Sequence, residues 1–228
     1  MVSLLFSLFF FSSILAQNLP TVGTTESVGK IEGIEIEAKV EGPSAQDTPL
    51  QIICLFEYTE GDIYNSPPAL PNESNGLVHV DESLKGLLTD IRKSEKYTGK
   101  ALETLLIDPP KNTILAKKLL LIGLGNRNEF KPEMMYWVGV VGMREALRLE
   151  VKSYSHASDL KDAGYDSPTA EVAKNVIKGA ISAYQTQKYL KKKKASTTLS
   201  VSKVTLLAGQ AFFEESKKGI QTALRDEQ

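Results

Sequence analysis

Few residues in this chain have the type and spacing that chemistry needs. Gly123-Leu-Gly125-Asn126 leaves an apolar run and precedes a helical pattern. A phosphate-binding turn uses such glycines to bring backbone N–H groups against an anion. The third glycine of G-x-G-x-x-G is replaced by Asn128, and no Gly-Lys-Ser/Thr follows. The same glycines also suit a tight strand exit that a Cβ would block. His79 and His156 fall in separate elements, without His-x-x-x-His spacing. Cys54 is the only cysteine and sits inside the apolar stretch Leu50–Tyr58. It reads as packing rather than as a nucleophile, with no internal disulfide partner. The carboxylates alternate with apolar residues or occupy turns. No catalytic residue, metal ligand or cofactor is expected, and the candidate ligand turn reduces to Gly123, Gly125 and Asn126.

Two further patterns suggest surfaces. In the helix expected over residues 132–150, Met134, Trp137, Val138 and Val141 recur at i, i+3, i+4 and i+7. A second stripe, Tyr136, Val140, Met143 and Leu147, is expected to face a sheet, with Gly139, Gly142 and Ala146 as a small-residue seam beside it. A helix apolar nearly all round is buried on more than one side. Either another part of the chain covers the Trp137 stripe, or it serves a protein partner or self-association. Lys191–Lys194 place four cations at the expected end of a helix, which suits the negative end of its dipole. Asn72-Glu73-Ser74 is a glycosylation sequon that matters only along a eukaryotic secretory route.

These features must be positioned by alternating strands and helices. Ile34, Ile36, Ala38 and Val40 alternate with Glu35, Glu37 and Lys39, the pattern of a half-buried edge strand. Leu50–Tyr58 is more continuously apolar, as in a central strand covered on both faces. Residues 59–75 read as a surface loop. Asp81 or Ser83 is expected to cap a helix through about Lys96, with Leu84, Leu87, Leu88 and Ile91 buried. Glu103–Ile107, Lys117–Ile122, Val151–His156 and Leu199–Leu207 read as strands. Ser167-Pro168 starts a helix reaching about Leu190, and Phe212, Phe213, Ile220, Ala223 and Leu224 mark a last amphipathic one. The alternation predicts a mostly parallel sheet with helices on both faces.

At the N-terminus, Val2–Ala16 is one uncharged apolar run followed by polar Gln17 and Asn18. It reads as a signal peptide cleaved after Ala16, and its 15 residues fall short of the roughly 20 a membrane span needs. The expected product is secreted or periplasmic, with residues 17–32 as a flexible lead-in and 33–228 as a single domain. Lys and Arg total 27 against 28 Asp and Glu. A net charge of −1 gives no general attraction to nucleic acid or anionic membranes, and none is expected after cleavage.

In order and spacing the elements resemble the N-terminal domain of leucyl (cytosol) aminopeptidases. The resemblance is carried by Ala116–Phe130 (AKKLLLIGLGNRNEF) and by the helix from Pro132, with Gly139, Gly142 and Ala146, ending in Leu147-Arg148-Leu149. Gly179–Tyr184, Tyr189 and the lysine-rich turn continue it, and it covers Ile34 to Leu224. It implies an α/β, macro-domain-like, three-layer α/β/α fold with a mixed, mostly parallel sheet. In that family, carboxylates and a lysine of a C-terminal domain hold two metal ions, with an Asn-Thr-Asp-Ala-Glu-Gly-Arg-like motif. No such motif occurs before Gln228. The expectation is therefore a secreted, non-catalytic homologue acting as a binding or assembly module. The alternatives are a macro-type binder of an ADP-ribose-like ligand at the Gly123 turn, and a detached regulatory subunit of a leucyl aminopeptidase. Gly61-Asp62-Ile63 matches a short macro-domain motif, but follows a buried strand where that motif precedes one, and is read as chance.

Overall fold

The computed structural model describes residues 19–65, 70–157 and 160–227. The expected leader lies outside them. No helix among the described residues is long and apolar enough to cross a membrane.

Among the described residues, seven strands form one sheet in the order β1-β2-β7-β6-β3-β5-β4. Their ranges are β1 Thr25–Ile31, β2 Ile34–Val40, β3 Gln51–Leu55, β4 Thr104–Ile107, β5 Leu119–Gly123, β6 Ser153–Ala157 and β7 Lys203–Ala208. The inner five run parallel, and β1 and β4 close the two edges antiparallel. Every residue of β3 and β5 is buried. That is why, Gln51 apart, their sequences read as apolar runs: a strand covered on both faces has no polar side to show.

The helices are α1 Asp62–Asn65, α2 Gly76–Ser83, α3 Leu87–Lys93, α4 Met134–Arg148, α5 Thr169–Lys192 and α6 Phe213–Asp226. From β3 the chain crosses one way along the sheet to β5. From β5 to β6 and from β6 to β7 it crosses the other way. Right-handed crossovers therefore put α1–α3 on one face and α4 and α5 on the other. α6 packs on α5 and over β1, β2 and β7. This is the expected mixed, three-layer α/β/α architecture.

Four expectations need correction. Residues 17–32 are not a flexible lead-in throughout, because 25–31 form β1 and β2 is an inner strand rather than the edge. β1 is polar and largely exposed, so its sequence lacks a strand's alternation. Backbone pairing with β2 holds it, and Leu224 of α6 lies over Gly29, with its Cδ1 2.7 Å from where a Cβ would stand. The helix expected from Asp81 to Lys96 is two helices. Asn75 caps α2 by accepting from the amides of Leu77 and Val78. Gly86, at φ 83°, breaks the run, and Asp81 caps α3 from inside α2 by accepting from Leu88 and Thr89. Pro168, rather than Ser167, is the cap residue of α5, and it offers no side-chain bond.

Candidate functional site

The Gly123 turn is closed by backbone. The amides of Gly123, Leu124 and Gly125 donate to the carbonyls of Glu103, Leu55 and Gly99. A Cβ on Gly123 would stand 2.0 Å from the Lys100 carbonyl oxygen. Gly125 holds φ 78°, and Asn126 spends its side chain accepting from the Asn128 amide. These glycines let two backbones meet, and their N–H groups point into the protein.

Beside the turn, side chains fill the crevice outside β3 and β5. Phe56, Phe130 and Tyr165 pack at centroid distances of 4.9–5.6 Å. Arg127 lies over Phe56 at 5.0 Å and donates from Nη1 to the Gly164 carbonyl at 2.7 Å. Its Nη2 is 3.9 Å from Asp62. Asp62 is buried and takes a two-point contact from the equally buried Arg92, at 2.5 and 3.0 Å. Gly61-Asp62-Ile63 thus supplies the buried anion that matches Arg92.

An open cleft of about 330 Å³ remains on the other side of the crossover point, at the carboxyl ends of β2, β6 and β7. Its walls are residues 40–45, Ala157, 207–210 and the first turn of α2. Gly76 is required where α2 meets them, because a Cβ there would stand 2.7 Å from both Asp162 Oδ2 and Pro43 Cδ. Asp162 Oδ2 accepts from the Gly76 amide at 3.1 Å, setting a carboxylate on the positive end of α2. Buried Asn75 fixes this corner by donating to the carbonyls of Ile63 and Asp162. Glu41, Glu73 and His79 also face the cleft. No sequence pattern places these residues together: His79 stands out only for lacking a partner histidine and Glu73 only within the sequon, while Glu41, Asn75 and Asp162 are polar loop residues with no periodic pattern. Gly42 and Gly76, beside Pro43, were the nearest thing to one.

The α4 surface is divided differently from expectation. Met135, Val138, Gly142 and Ala146 are buried in one phase, and a Cβ on Gly142 would meet Ile52 of β3 at 2.8 Å. That phase faces the sheet. The backbone of Tyr136 and Val140 faces α5, where a Cβ on Gly179 would stand 1.9 Å from the Tyr136 carbonyl oxygen. Val138 is thus core, and the small-residue seam splits, with Gly139 toward α5 and Gly142 toward the sheet. Trp137 remains 53% exposed, packed edge-on to Tyr136 at 5.2 Å, with Met134 and Val141 half-buried. Lys191–Lys194 are exposed at the end of α5. Cys54 and His156 meet under the α4–α6 layer, Sγ to Nε2 at 3.8 Å. Burial pushes the thiol up to about 12 and the imidazole down to about 4, so both are neutral near pH 7. Among the described residues, no group of three or more His, Cys, Asp or Glu is placed to hold a metal ion.

Known structures agree with this geometry. A solved Trypanosoma brucei macrodomain in complex with ADP matches at TM-score 0.53 and 13% identity, covering 89% of this chain and 78% of that one. A mutant of tomato leucine aminopeptidase matches at TM-score 0.54 and 16% identity, covering 84% of this chain and 36% of that one. These likenesses define the class, a macro-domain-like α/β/α fold. The model of the cytosol aminopeptidase family, N-terminal domain, matches residues 67–194. The chain belongs to that family, through that domain. It is 28% identical over 141 residues to a probable cytosol aminopeptidase of Roseiflexus castenholzii, covering 61% of this chain and 28% of that protein. The chain therefore spans less than a third of this curated relative.

Proposed function

We propose that this chain is an exported, non-catalytic binding module that takes a small neutral or cationic ligand at the carboxyl edge of its sheet. The supporting observation is the cleft beside α2, in the region where open α/β sheets hold ligands. Its charge selects the ligand class. The helix terminus that could receive a phosphate is already taken by Asp162, and Glu41 and Glu73 line the same cleft. A diphosphate would be set against like charges, which costs binding energy. The ADP seen in the trypanosomal macrodomain is therefore a poor guide to this ligand. Calorimetry on the full chain tests the reading, with ADP and ADP-ribose in one arm and spermidine, arginine amide and a neutral dipeptide derivative in the other. Heat is expected only in the second arm, weakened by Glu41→Gln and Glu73→Gln. Binding of ADP-ribose, or silence across the panel, overturns it. Export rests on the run Val2–Ala16, and recovery of the chain from the medium or periplasm checks it.

The Trp137 surface favours a second reading, a regulatory subunit that docks through α4 on a separate aminopeptidase catalytic chain. Co-sedimentation with a leucyl aminopeptidase catalytic domain, lost in Trp137→Asp, is the expected result. Independent sedimentation removes this reading.

A further inference from the structure

The chain has one Asn-x-Ser/Thr tripeptide without an intervening proline, Asn72-Glu73-Ser74. The fold places it in a one-turn 3-10 helix with Pro71, Asn72, Glu73 and Ser74 all exposed. The Ser74 hydroxyl donates to the Pro71 carbonyl at 3.1 Å, and the Asn72 carbonyl accepts from the Asn75 amide at 3.3 Å. The Asn72 side-chain amide has no hydrogen-bond partner among the described residues. It can therefore be substituted without leaving a buried group unpaired. Its neighbours are less free. Asn75, three residues on, is fully buried and spends its side chain on α2 and two carbonyls. Glu73 and Ser74 line the cleft, while Asn72 stands outside it.

We propose that Asn72 is N-glycosylated and that its glycan stands at the mouth of the cleft. The site rests on the export reading above, because the modification belongs to the secretory route. The chemistry balances without a redox partner. The Asn72 amide nitrogen displaces a lipid-linked diphosphate from the first carbon of the donor oligosaccharide. An N–C bond forms, the sugar–oxygen bond to the diphosphate breaks, and one amide proton passes to the base of the transferase. A branched polar chain at that point narrows the approach to the cleft, admitting small solutes and shedding polymers and proteins.

The test expresses the full chain with its own leader in a eukaryotic secretory cell line and measures the intact mass of material from medium and lysate. Secreted protein is expected to carry a glycan mass at Asn72, removed by an amidase that cleaves the glycan–asparagine bond. The mass is expected to be lost in Asn72→Gln and Ser74→Ala and kept in Ser74→Thr. Circular dichroism should show all three variants folded. Secreted chain with an unmodified Asn72 overturns the modification and leaves export standing. Chain found only in the lysate, unmodified, overturns both.

Discussion

The two helical layers hold their places by opposite means. On one face, α4, α5 and α6 are long and dock by shape. Gly139 and Gly179 bring α4 and α5 into backbone contact, and Gly219 does the same for α6, where a Cβ would stand 2.2 Å from the Ala170 carbonyl oxygen. On the other face, α1, α2 and α3 run only four, eight and seven residues. Helices that short bury too little apolar surface to fix their own orientation. Buried polar groups fix them instead. Asp62 pairs with Arg92, Asn75 ties α2 to its neighbours, and Asp81 accepts from Leu88, Thr89 and the Tyr64 hydroxyl. The polar layer also bounds the open cleft. Shape packing depends on continuous contact along the helices, whereas a polar scaffold can leave a wall exposed because directional bonds hold it from behind.

The sharpest way to break this comparison is Asp62→Ala. It strands the buried Arg92 guanidinium, and equilibrium denaturation is expected to show a loss of about 3–5 kcal/mol. The double variant Asp62→Leu with Arg92→Met should cost less than that single change, because it removes both charges. A loss under about 1 kcal/mol for Asp62→Ala would mean that the short helices do not depend on their polar pins.

Gly179→Ala probes the other layer. The added methyl meets backbone rather than a movable side chain, so α4 and α5 must separate. Denaturation is expected to show a loss of about 2–3 kcal/mol. A neutral result would show that the helices are not set by close approach.

His156 is a buried polar group beneath the shape-packed layer, and its Nδ1 has no partner among the described residues. Burial lowers its pKa from 6.5 to about 4. Below 6.5 the unfolded chain therefore takes up a proton that the folded ring refuses. Stability falls as pH drops from 6.5 toward 4, with a contribution from this residue of about 2 kcal/mol by pH 5. His156→Leu should flatten that part of the stability–pH curve, and an unchanged slope would assign the acid sensitivity elsewhere.

The smallest effect belongs to Trp137→Asp. With the ring already half in solvent, folding stability should move by less than about 0.5 kcal/mol. A larger loss would show that Trp137 belongs to the packed layer rather than to a free surface.

The parallel centre of the sheet and the long helices were legible in the residue pattern alone. Gln51 apart, Leu50–Leu55 and Leu119–Gly123 are apolar on both sides, and α5 keeps its 3.6-residue period of buried residues from Thr169 to Tyr184. Such patterns are local and survive translation into structure. The family was legible for the same reason, from ordered strings of residues rather than from any site. The rest depends on contacts between separate segments of the chain. β1 is a strand because β2 offers it hydrogen-bonding groups, Val138 is core because of how α4 is rotated over Ile52, and Gly123 serves the backbone of Gly99–Lys100 rather than an anion. The cleft is the strongest case. Glu41, Glu73 and Asp162 are far apart in the chain, and what makes them one electrostatic surface is the meeting of three strand ends with a helix start.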